Sequence, residues 1–213
     1  MSQHPFLSTP LIILRPYDEE HDLERICGWF NDPRVTQFMF TGQKPATKSH
    51  LAALLREDTE SPSHAIFIVV DRKSNESIGI AGLYDIHQTA RKAEFRIVIG
   101  DARFWNKGIG TEAAQAMLYF GFDRLNLHRI FLGFTGGNPA ARRTYEKSGF
   151  EYEGTLKDDI YRNSRYYDSI RMAVIRDAYY KRYFTVHQKR FGAREPRVNT
   201  PAKKNISRHE KKH

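Results

Sequence analysis

An apolar strand that runs straight into a Gly-x-Gly turn and then a helix constrains this chain more than any other feature. Residues 92–100 read "KAEFRIVIG", residues 104–110 read "FWNKGIG", and "TEAAQAMLYFGFDRL" follows. The first run has strand composition. Beyond the turn, Ala114, Leu118, Phe122 and Leu125 fall on one stripe, which predicts a helix from Gly108 to about Leu125. A helix start of this kind has unpaired N–H groups and a positive dipole end. Glycine removes the side chains that would keep an anion away from them, and Lys107 adds a cation. A tight turn without a ligand uses the same residues, so the pattern alone leaves both readings open. It is not a dinucleotide fingerprint: Ala113 stands where the third glycine belongs, and the turn follows a fourth strand rather than opening a βαβ unit. No Walker sequence occurs.

The remaining elements alternate around that turn. "LIIL" predicts a strand, and Pro16 breaks it. A helix capped by Asp18 follows, with Leu23, Ile26 and Phe30 at helical spacing, until "NDP" ends it. Thr47 opens a second helix. "HAIFIVVD" and "SIGIAGLYDI" predict strands around the polar turn "RKSNES", and "HRIFLGFT" predicts another. "NPAARRTYEKSG" has an Asn138 cap, Pro139 at the first helical position and Gly149 as the stop. "FEYEGTLKDDIY" and "RYYDSIRMAVI" predict two strands around "RNS". The order βααβββαβαββ implies an α+β domain of three layers, α/β/α, around a mixed and mostly antiparallel sheet.

Four ordered segments, "FWNKGIGTEA", "LNLHRIFL", "NPAARRTYEKSGFEYEGTL" and "RYYDSIRM", resemble the GNAT superfamily of N-acetyltransferases, of the RimJ/RimL type. The resemblance spans roughly residues 11–180. Within it, "RKAEFRIVIG", "LNLH" and "RYYDSIRM" are most similar to spermidine N-acetyltransferases. The resemblance implies a sheet splayed between the fourth and fifth predicted strands, and acetyl-CoA as co-substrate. The diphosphate would sit on the amides of Lys107, Gly108, Ile109, Gly110 and Thr111, next to Trp105 and Asn106. The pantetheine arm would lie as an extra strand against Ile97, Val98 and Ile99. Asn138 would bond the arm or simply cap its helix. Arg143 and Tyr145 on that helix join the implied coenzyme contacts. The resemblance also implies a homodimer.

Acetyl transfer to an amine needs a neutral amine, a donor for the oxyanion and a proton for the departing thiolate. The resemblance puts Tyr145 in the last role; spacing alone reads it as a core tyrosine. Glu94 is the candidate base, directly or through water, although strand alternation equally pairs it with Arg96 on one face. His87 is a weaker alternative. A polyamine site would want carboxylates, whereas "FMFTGQKPATKSH" has none and two lysines. That composition suits a less cationic acceptor: an amino sugar, a protein N-terminus or another small amine.

The net charge of +9 is unevenly placed. Residues 187–213 hold nine Lys/Arg and two Asp/Glu, while the rest is close to balanced. This divides the chain into an acetyltransferase domain over 1–186 and a basic tail over 187–213, whose composition predicts disorder. The tail is either a solvated end or an electrostatic contact to RNA, the ribosome or an anionic surface. The latter would suit a non-catalytic CoA-binding module. One cysteine, Cys27, excludes an intramolecular disulfide and suits a reducing compartment. No metal-ligand spacing, signal peptide or membrane-spanning apolar run is present in the sequence, so a cytoplasmic protein is expected.

Overall fold

The computed structural model describes residues 5–40 and 42–191 and builds them around one eight-stranded sheet. Its strands are β1 (Leu7–Ser8), β2 (Ile12–Arg15), β3 (Ala65–Asp71), β4 (Ser77–His87), β5 (Lys92–Ile99), β6 (Arg129–Thr135), β7 (Glu151–Arg162) and β8 (Arg165–Ile175). In space they run β1-β2-β3-β4-β5-β6-β8-β7, and every neighbouring pair is antiparallel except β5 and β6. Helices α1 (Glu19–Asn31) and α3 (Lys48–Glu60) cover one face, packing Ile26 and Leu55 with Ile66, Ile68 and Val70 of the sheet. Helices α4 (Ile109–Tyr119) and α5 (Pro139–Ser148) cover the other, over Val69, Leu83, Phe95, Ile130 and Leu132. The three-layer α/β/α architecture with a mostly antiparallel sheet is therefore present.

Local chemistry fixes most helix ends where the sequence places them. Asp18 accepts from the amide of His21, Thr47 from that of His50, and Asn138 from that of Ala141 at 3.0 Å. Gly149 closes α5 with φ +98°, in the left-handed region. Asp32 ends α1 and at once caps the short α2 (Pro33–Thr36), accepting from Arg34 N at 2.8 Å.

Two readings need correction. The helix expected to run from Gly108 to about Leu125 stops as an α-helix at Tyr119 and widens into a π-turn over Phe120–Arg124. More important, the chain does not leave the domain at 186. Helix α6 (Arg176–Tyr179), a second π-turn (Tyr180–Phe184) and α7 (Thr185–Phe191) follow β8. His187 and Phe191 are buried, the latter against Tyr119 of α4. The packed domain thus reaches at least Phe191, because its last turn supplies core side chains. The rest of the proposed tail lies outside the described residues.

Candidate active site

The parallel ladder between β5 and β6 lasts three residue pairs: Lys92 with Arg129, Ala93 with Ile130 and Glu94 with Phe131. Past Glu94, β5 continues beside β4 as far as Ile99, while β6 continues beside β8 as far as Thr135. The strands part there and form a fork. Ile97, Val98 and Ile99 line its β5 side and are each half-buried. A strand edge without a ladder partner can accept another extended chain, here a ligand's.

At the end of β5 the chain turns through a single 3₁₀ turn over Ala102–Phe104 and reaches α4. The indole N–H of Trp105 donates to the Ile99 carbonyl at 2.7 Å, so its donor braces the turn. Asn106 has φ +59° and Gly108 +81°, two left-handed residues that swing the chain into α4. Gly108 is the N-cap of α4 and makes no capping bond from a side chain, unlike the residues heading α1, α3 and α5. The first-turn amides of α4 therefore lack the side-chain acceptor that α1, α3 and α5 have. A Cβ at Gly108 would have no atom closer than Leu11 Cδ1 at 4.0 Å, so it would project into open space beside those amides. Lys107 is exposed next to them.

The other predicted contacts divide. Ile109 points its side chain into the core and Thr111 is half-buried, so both offer backbone to a ligand. Gly110 serves a second purpose: a Cβ there would lie 3.3 Å from Thr144 Cγ2 of α5, so its bareness lets the two helices approach. Asn138 Oδ1 is committed to its cap, and Arg143 is exposed on α5.

Tyr145 is buried across the fork, with ring centroids 6.4 Å from Phe95 of β5 and 5.5 Å from Phe134 of β6. Burial pushes its phenol up to about 12, because the phenolate would lose its hydration. Glu94 sits at the point where β5 and β6 part, and alternation turns it to the face opposite Phe95. Tyr145 and Glu94 thus approach the fork from opposite faces. Glu94 also accepts from Arg96 Nε at 2.9 Å, so the pairing and the site position coexist. His87 ends β4, and its Nδ1 accepts from Ala90 N at 3.0 Å; it shapes the hairpin and stands away from the fork.

One group was not visible in the sequence. Arg96 also reaches Asp85 at 3.3 Å, and His64 lies 3.2 Å from Asp58 and 3.5 Å from Asp85. Asp85 occupies a left-handed position (φ +51°) within the bulge between Tyr84 and His87. Carboxylates from α3, β4 and β5 thus gather on the Glu94 side of the fork. They are distant in sequence, and the β3–β4–β5 meander brings them together. Of the two lysines that weighed against a cationic acceptor, Lys48 is ion-paired with Glu24 and so counts for less.

The model of the acetyltransferase (GNAT) domain matches residues 12–151. The chain belongs to the GNAT acetyltransferase family. It is 30% identical over 175 residues to spermidine N(1)-acetyltransferase of Escherichia coli (strain K12), covering 82% of this chain and 91% of that one. It is 31% identical over 166 residues to the putative ribosomal N-acetyltransferase YdaF of Bacillus subtilis (strain 168), covering 77% and 89%. Among solved structures, Vibrio cholerae spermidine N-acetyltransferase in complex with CoA and spermine superposes with a TM-score of 0.72 at 29% identity, covering 79% of this chain and 98% of that one. This GNAT protein is an acetyl-CoA-dependent N-acetyltransferase. Among the described residues, no helix is long and apolar enough to cross a membrane and no cluster of side chains suited to a metal is present.

Proposed function

We propose that this enzyme acetylates a primary amine by direct transfer in a ternary complex, and that the favoured acceptor is a linear polyamine. The observation that carries the acceptor is the group of carboxylates Asp58, Asp85 and Glu94 beside the fork, which outnumber the one guanidinium, Arg96, among them. An extended cation gains from such a surround. The spermidine N-acetyltransferases among the relatives are in keeping with this reading.

The roles divide by position. The backbone amides from Lys107 to Thr111, at the start of α4, hold the diphosphate, and the free edge at Ile97–Ile99 takes the pantetheine arm, with the side-chain Nδ2 of Asn138 as a donor to it. Acetyl-CoA supplies the activated acyl group. Glu94, at the mouth of the fork, takes a proton from the incoming ammonium, directly or through water. Tyr145, kept protonated by burial, donates to the departing sulfur. In this reading a backbone N–H on the parted stretch of β5 stabilises the oxyanion.

A second reading keeps the same chemistry on a protein N-terminus, favoured by the likeness to a putative ribosomal N-acetyltransferase. Steady-state release of free CoA with a panel of acceptors separates them. Spermidine and spermine are expected to give the highest kcat/KM, ahead of amino sugars and N-terminal peptides. Faster turnover of a peptide would favour the second reading. Acetyl-CoA binding without turnover by any amine would favour a non-catalytic CoA-binding module.

A further inference from the structure

Glu112 is buried one turn into α4, with its amide bonded to the Gly108 carbonyl at 3.0 Å. A carboxylate there stands beside the amides assigned to an anion, and alone it would repel one. It is not alone. Oε1 accepts from the Leu11 amide at 2.8 Å, and Oε2 is held by the guanidinium of Arg190 from α7. The same guanidinium reaches Gln115 Oε1 at 3.5 Å. Leu11 is also the neighbour of the open space at Gly108. The C-terminal helix therefore supplies the charge that neutralises an acid built into the coenzyme-binding helix.

We propose that Arg190 is a positioning residue for coenzyme binding, acting through Glu112: it cancels the buried carboxylate so that the first turn of α4 presents a net positive end to the diphosphate. This rests on the assignment of that turn as the diphosphate site. Arg190 touches neither the acyl group nor the acceptor, so its effect falls on affinity for acetyl-CoA and leaves the chemical step alone. A merely structural role for the Arg190–Glu112 pair would lower the melting temperature and leave KM unchanged in the folded enzyme, and that difference is measurable.

The experiment compares full-length wild type with Arg190→Met, Glu112→Gln, the double variant and Gly108→Val, reading KM for acetyl-CoA, kcat and melting temperature. Arg190→Met is expected to raise KM roughly tenfold with kcat within about twofold, and Glu112→Gln in the Arg190→Met background to bring KM most of the way back. An unchanged KM in Arg190→Met, or an equal rise in the single and double variants, overturns the proposal. If Gly108→Val raises KM while Arg190→Met does not, the diphosphate assignment stands and the role of Arg190 falls. If Gly108→Val also leaves KM unchanged, both fall.

Discussion

Trp105 and Ile99 close the turn between the forked strand β5 and helix α4: the indole N–H donates to the Ile99 carbonyl at 2.7 Å. That bond fixes where β5 stops and where the left-handed residues Asn106 and Gly108 begin. Trp105→Phe keeps an aromatic side chain, though a smaller one, and removes the donor, whose bond is worth about 1 kcal/mol. The expected outcome is an acetyl-CoA KM raised about fivefold with kcat nearly unchanged. An unchanged KM would mean the brace does not set the shape of the notch.

Gly110 invites a different substitution. Its Cβ direction leads to Thr144 Cγ2 at 3.3 Å, so Gly110→Val drives α4 and α5 apart. A drop in melting temperature equivalent to about 1–3 kcal/mol is expected, partly restored by Thr144→Ala. If Gly110→Val melts like the wild type, the two helices have more room than their packing shows.

Tyr145→Phe preserves the ring's contacts with Phe95, Phe134 and Phe150 and deletes the proton donor. Its kcat should fall on the order of tenfold to a thousandfold with coenzyme affinity intact. Because burial pushes the phenol up to about 12, Tyr145 stays protonated through pH 10. An alkaline limb of the kcat profile near pH 9–10 that vanishes in the Phe variant would contradict this assignment.

His187 is buried in α7, 3.1 Å from the Tyr179 hydroxyl, and its imidazole is pushed down to about 4, first by burial and then by Arg190. The unfolded chain binds a proton at this ring near pH 6.5 and the folded chain does not. This contribution to stability is therefore complete above about pH 6.5 and is lost as pH falls toward 4. After allowance for solvent screening it is on the order of 2 kcal/mol. Thermal melts from pH 7 to 4 should show a shallower decline for His187→Asn than for wild type. Parallel declines would place His187 outside the packed domain.

The sequence revealed what local chemistry controls. Asp18, Thr47, Asn138 and Gly149 announce their helix ends because each bonds within a few residues of itself, and Pro139 does so through its fixed φ at the first helical position. The fork was implied by family resemblance, and its place at Glu94 emerged only from strand register. The C-terminal helix escaped notice because Ile175 gives it no side-chain cap and a π-turn spoils its 3.6-residue spacing. The carboxylates near Glu94 escaped because α3, β4 and β5 meet there only after folding. Gly110 was legible as a glycine, yet its partner Thr144 lies on another helix.

In the proposed function the uncapped start of α4 is the grip on a diphosphate. Titration calorimetry of the full-length protein and of Gly108→Val, each with CoA and with pantetheine, which lacks the diphosphate and the adenosine nucleotide, tests it most directly: the substitution should weaken CoA and leave pantetheine alone. CoA is expected to bind with a Kd in the micromolar range and pantetheine at least about a hundredfold more weakly, a difference of about 2.7 kcal/mol. Equal affinities for the two, or no heat with CoA at millimolar concentration, would contradict it.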